Sequence, residues 1–104
     1  MRIWTVSDLH IDYPDNAQFV ERIAIGPYLD DLLIVPGDIT HDFSLLQHCL
    51  KHLSNCFHKV LFIPGNHDLW IHKNDFDHSI QKFEAIQSFC QTEDIAFTFQ
   101  NERL

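Results

Sequence analysis

This chain is poor in glycine, cysteine and cationic side chains, with three Gly, three Cys and seven Lys plus Arg among 104 residues. Three cysteines are too few, and odd in number, for a disulfide framework, which argues for a reducing, cytoplasmic setting. Against 15 acidic residues the seven cations leave a net charge of −8. That balance argues against a nucleic-acid partner, because a phosphate backbone needs a basic surface. No apolar run approaches the ~20 residues that cross a bilayer, so no membrane association is expected. Met1-Arg2 leads straight into a strand-like run, and no signal peptide is expected there. What the chain does have is an ordinary 45% of apolar residues, enough for one domain with a modest core.

Four short apolar, β-branched or aromatic runs, at 2–6, 32–35, 60–63 and 95–99, read as strands. The middle two are continuously apolar, as in a sheet covered on both faces. Helices are expected between them. Residues 16–25 form one, closed by Gly26-Pro27; a second, capped by Asp42 or Ser44, runs to about Asn55. On a helical wheel Leu46, Cys49, Leu50, Leu53 and Phe57 share one stripe. A third helix at 77–92 sets Ile80, Phe83, Ile86 and Cys90 on one side. Strands alternating with helices predict an α/β fold of right-handed βαβ units with a mostly parallel sheet.

One internal repeat stands out. Leu33-Ile34-Val35-Pro36-Gly37-Asp38 is answered by Leu61-Phe62-Ile63-Pro64-Gly65-Asn66. Each half is a buried-type strand, a Pro-Gly turn and a short oxygen-bearing side chain, as expected of successive βα units. Three strands thus end in groups able to bind metal: Asp8 and His10, then Asp38, then Asn66 and His67. Functional groups in open α/β sheets gather at the carboxyl ends of strands, so these residues are expected side by side. Carboxylate, imidazole and amide oxygen together suit Mn²⁺, Fe or Zn²⁺ without thiolates. One aspartate, having two oxygens, could bridge two metals ~3.5–4 Å apart, a pair that clamps a phosphoryl group.

Asp8-Leu9-His10, Gly37-Asp38 and Gly65-Asn66-His67-Asp68 together resemble the D-x-H, GD and GNH[DE] signature of the calcineurin-like metallophosphoesterases. The resemblance is firm over 1–70 and looser beyond. It implies a layered α/β fold with two divalent metal ions, Mn, Fe or Zn. Asp8 and His10 would hold the first metal, Asp38 would bridge both, and Asn66 would ligate the second. His67 would hydrogen-bond the phosphate or protonate the leaving oxygen, with Asp68 orienting its imidazole. The implied activity is hydrolysis of a phosphomonoester or phosphodiester substrate by a metal-bound hydroxide. The family supplies further histidines downstream, typically in a Gly-His-x-His motif, that do not occur before Leu104. Residues 1–104 are therefore expected to form a single domain of this type, incomplete at the C-terminus and covering about the amino-terminal half. The alternative is a truncated, catalytically inactive fragment that binds metal weakly or serves as an interaction module. A half-built sheet would expose an edge and favour self-association.

Other polar groups read as bystanders. His41, His72 and His78 lie near the motifs and are weak candidate ligands. His48, Cys49, His52 and Cys56 imitate a zinc cluster, but the helical wheel sends the histidines to solvent and the cysteines to the core. Asp12, Asp15, Asp30 and Asp31 read as turn and capping carboxylates. Trp4 and Trp70 read as packing residues, Trp70 with some prospect of lining a substrate mouth. Neither a G-x-S-x-G elbow nor a P-loop or dinucleotide glycine fingerprint occurs.

Overall fold

Three crossovers decide the architecture. In a computed structural model describing residues 1–71 and 76–97, strand β1 (Ile3–Thr5) leads through helix α1 (Pro14–Glu21) to β2 (Leu32–Val35). Helix α2 (Phe43–Cys56), β3 (Lys59–Phe62), a single 3₁₀ turn (His67–Leu69), α3 (Ser79–Thr92) and β4 (Ala96–Phe97) follow. The strands pair in parallel in chain order, β1-β2-β3-β4. When parallel strands succeed one another in one direction, right-handed crossovers put every helix on the same face. That face carries Leu33, Val35, Val60 and Phe62, all buried, in one core with Val20 of α1, Leu46, Leu50 and Leu53 of α2, and Ile86 and Cys90 of α3. The opposite face, with Leu32, Ile34 and Leu61, is only half covered, and Ile3 is 67% exposed. The expectation of a sheet covered on both faces is therefore corrected. Continuous apolarity reported strands central in the sheet, not a second layer of helices.

Helix α2 forms as the sequence implies. Asp42 caps it by accepting the Leu45 amide at 3.1 Å, and its buried stripe is Leu46, Cys49, Leu50, Leu53 and Cys56. Burying each such leucine contributes about 1.5–3 kcal/mol. Helix α1 begins earlier than expected, because Pro14 occupies its first turn with φ already suited to a helix. It also ends earlier, where the Ile23 amide tightens the last turn onto the Val20 carbonyl. Helix α3 is rotated from its expected face. Ile80 is 68% exposed, and Lys82 takes the core position in phase with Ile86 and Cys90. The Lys82 ammonium group is fully buried and donates to the carbonyls of His41 and Trp70. It thereby ties α3 to the loops that follow β2 and β3. Beyond Phe97 the expected fourth strand lies outside the described residues, as does His72.

Asp31 is another correction. It is a buried anchor for β1 rather than a turn carboxylate, accepting the Arg2 amide at 3.0 Å, Arg2 Nε at 3.0 Å and Trp4 Nε1 at 2.9 Å. Between α1 and β1 the helix layer thins, leaving an apolar cavity of about 610 Å³ lined by Trp4, Leu9, Phe19, Tyr28 and Phe57. Among the described residues no helix is long and apolar enough to cross a membrane.

The Trp4 and Arg2 donors hold the Asp31 carboxyl below the ordinary carboxylate range. The linked stability is complete above the unfolded-state pKa and is lost as pH falls through the lower folded-state value. Asp31→Asn is expected to flatten this acid limb, read as the urea midpoint of Trp fluorescence between pH 5 and 2; an unchanged limb would remove Asp31 from the account.

Candidate metal centre at the strand ends

The two halves of the sequence repeat meet back to back. Gly37 has φ +90°, and a Cβ there would lie 2.8 Å from the Cα and the nitrogen of Gly65. A Cβ on Gly65 would in turn meet the Asp38 carboxylate and lie 2.8 Å from the Asp38 nitrogen. Both glycines are required by close backbone approach. Their contact brings the loop after β2 against the loop after β3. The loop after β1 joins them by extending the parallel ladder: the amides of His10 and Ile11 donate to the carbonyls of Asp38 and Ile39 at 3.1 and 2.9 Å. Farther out, Thr40 Oγ1 donates to Asp12 at 2.6 Å, and His41 Nδ1 lies 3.9 Å from the same carboxylate. Asp12 therefore links two site loops, a role its place in the sequence did not disclose.

The expected donors approach one another in pairs. His10 Nε2 is 3.8 Å from Asp8 Oδ1. The His10 and His67 rings meet edge to face with centroids 5.3 Å apart. His67 Nδ1 is 3.5 Å from Asp38 Oδ1, which also accepts the His67 amide at 3.1 Å. Asn66 is exposed at the start of the 3₁₀ turn and makes no capping bond with its side chain. Among the described residues no three His, Cys, Asp or Glu side chains close on a single point as they stand. The donors form a chain of pairs, Asp8 to His10 to His67 to Asp38.

Two features fit a cation at this place. His67 Nδ1 is buried without a hydrogen bond, an arrangement that buried polar atoms rarely keep. Asp8, His10 and Asp38 all have positive φ, 54°, 43° and 56°. Such conformations cost about 1–3 kcal/mol each and cluster at functional sites. Asp and His tolerate them better than most residues, so nothing in the sequence disclosed the strain.

Asp68 departs from its expected place. It is fully buried, and its carboxylate accepts the amides of Asp38, Ile39, Thr40 and Gly65. Both oxygens are taken by backbone amides, and it is Asp38 Oδ1 that stands 3.5 Å from His67 Nδ1. Burial pushes the Asp68 carboxyl above the ordinary range, against the pull of those four amides toward the charged form. Trp70 lies against His67 with ring centroids 4.0 Å apart and is 52% exposed, which puts it at the rim of the site.

Three further histidines have neighbours of their own. His78 caps α3 by accepting the Gln81 amide at 3.1 Å. His48 is exposed beside Glu21. His52 does not point to solvent as expected: its Nε2 is 3.2 Å from the Ile23 carbonyl and 3.6 Å from Cys56 Sγ. Cys49, Cys56 and Cys90 are buried free thiols, and burial pushes Cys49 and Cys90 up to about 12. They stay protonated and unreactive at neutral pH.

Oxygen and imidazole donors thus stand on three adjoining parallel strand ends of one α/β sheet. The sequence profile of the calcineurin-like phosphoesterases matches residues 1–100, and the chain belongs to that family. Members of the family use divalent metals in a dinuclear site. The chain is 36% identical over 73 residues to the acyl-carrier-protein phosphodiesterase PptH of Mycobacterium tuberculosis. It also superposes on the crystal structure of phosphopantetheinyl hydrolase (PptH) from that organism, with TM-score 0.79, 28% identity and 91% of this chain covered. The chain spans 22% of the curated relative's length and 34% of the crystallised chain.

Gly65→Ala is expected to push the Asp38 carboxylate aside and to destabilise by about 1–3 kcal/mol, as overpacking does. Urea unfolding together with the Asp38 amide resonance measures both; a wild-type midpoint and an unmoved resonance would contradict the packing described.

Proposed function

We propose that this chain is the strand-end metal half of a phosphoesterase site, acting in hydrolysis of a phosphoester, with a phosphodiester the favoured substrate. The observation that carries the reading is the junction of Asp8, His10, His67 and Asp38 at adjoining strand ends, with the buried His67 Nδ1 turned toward Asp38. Asp8 and His10 would hold one divalent cation, Asn66 a second, and Asp38 both. Bound there, Mn, Fe or Zn ions supply Lewis-acid stabilisation of phosphoryl oxygens and lower the pKa of water. The chain's own part is positioning and proton transfer. With Nδ1 facing Asp38, the other ring nitrogen of His67 is the one free to meet a phosphoryl or leaving oxygen. Trp70 packs on the ring and limits its rotation. The relatives, an acyl-carrier-protein phosphodiesterase and a phosphopantetheinyl hydrolase, support the choice of a diester. Three buried free thiols support a reducing, cytoplasmic setting.

The pairwise arrangement of the donors favours one narrower alternative, weak metal binding without turnover. Hydrolysis of bis(p-nitrophenyl) phosphate and of p-nitrophenyl phosphate with added Mn²⁺, beside calorimetric Mn²⁺ titration, separates the two. The expected result is Mn²⁺-stimulated cleavage that falls to background in Asp38→Asn. Mn²⁺ binding without cleavage selects the alternative, and undiminished cleavage in Asp38→Asn overturns the scheme. The half-covered sheet face and the edge strand β1 support self-association, which sedimentation velocity over a concentration series would reveal as a rising mean mass.

A further inference from the structure

We infer that Asp68 is a positioning residue that fixes the conformation of Asp38 and, through it, the affinity of the site for metal. The inference rests on the metal reading given above and deepens it. Asp68 belongs to the loop after β3, yet three of its four hydrogen bonds reach successive amides of the loop after β2: Asp38 at 2.8 Å, Ile39 at 2.8 Å and Thr40 at 3.1 Å. The fourth comes from Gly65 at 2.9 Å. Successive N–H groups converging on one point form a nest for an anion. Here the nest is created by the left-handed turn at Asp38, φ 56°, and the anion filling it is a side chain of the neighbouring loop.

Two consequences follow. The nest is occupied from within, so these amides are not the groups that receive a substrate phosphate. The left-handed Asp38 is also held from both ends. Its amide is tied to Asp68, and its carbonyl accepts the His10 amide at 3.1 Å. With the amide and carbonyl both pinned, the Asp38 side chain leaves the backbone in one direction, and its Oδ1 meets the His67 amide. Among the described residues the Asp68 carboxylate hydrogen-bonds to these four backbone amides and not to the His67 ring, so its bearing on the site runs through the backbone that carries Asp38.

The test compares Asp68→Asn, Asp68→Glu and a core control, Val60→Ala, in the full chain. Mn²⁺ affinity is measured by calorimetry, and the fold is checked by amide NMR. An asparagine keeps the shape but turns an NH₂ group toward amides that need an acceptor. Outer hydrogen-bond partners of metal ligands typically contribute about 10–100-fold to metal affinity. Asp68→Asn is expected to lose affinity in that range while folded, Asp68→Glu to recover part of it, and Val60→Ala to lose stability with affinity unchanged. Wild-type affinity in folded Asp68→Asn overturns the proposal. A wild-type chain that binds no Mn²⁺ overturns the metal reading instead. In that case, or if Asp68→Asn fails to fold, amide exchange in the wild-type chain decides the positioning role. Slow exchange at Ile39 and Thr40 supports it, and unprotected rates overturn it.

Discussion

Everything at the strand ends depends on how closely two backbones can approach. Gly37 and Gly65 end neighbouring parallel strands, and each occupies the space where the other's loop would need a Cβ. This contact brings the Asp38 and His67 loops close enough for the Asp68 and Asp38 carboxylates each to accept amides of the other loop. The metal-competent groups then need no long loops to meet, since they sit three to five residues beyond the strands that aim them. A repeat that looks in the sequence like two copies of a turn is therefore one interface between two loops.

The chain-order sheet supplies the other half of the geometry. With every helix on one face, the carboxyl ends of β1, β2 and β3 lie side by side, and no crossover returns between them. The same topology leaves the second face half bare and strains coverage at β1. There the clamp of Asp31 on Arg2 and Trp4 compensates for a thin helix layer. Lys82 does comparable work at the far side. Its buried ammonium group satisfies two loop carbonyls that have no strand to pair with.

Much of this was legible in the sequence, and the reasons differ by residue. Leu32–Val35 and the α2 stripe were read well because apolar periodicity reports burial directly. The expectation that Asp8, His10, Asp38, Asn66 and His67 share one place came from their common position after strands; Asp8, His10, His67 and Asp38 approach in pairs, whereas Asn66 is exposed. The rotation of α3 was not legible, because Ile86 and Cys90 fit a face that widens toward Ile80 on one side or toward Lys82 on the other. Charge argued for the wrong choice, since a lysine reads as surface until its carbonyl partners are known. The partners of Asp68 and Asp31 were hidden for the same reason. Both bonds span about thirty residues, and a carboxylate beside a turn looks alike whether it caps locally or reaches across the sheet.

Strain and charge at the site point in one direction. Three residues with side chains on Cα hold left-handed backbones within one small region, a conformation that relaxes unless its surroundings over-determine it. Two of them, His10 and Asp38, are held here by the ladder bonds from His10 and Ile11 and by the amides gathered on Asp68. A fold that needed only a stable core would have no use for this. Asp38 itself lies outside the apolar cluster, although its neighbour Ile39 is buried within it. What the strained backbone does achieve is to turn two carboxylates and two imidazoles toward one another. Carboxylate oxygens set beside imidazole nitrogens make a donor set that suits a divalent cation, which is what the proposed metal reading asks of this backbone.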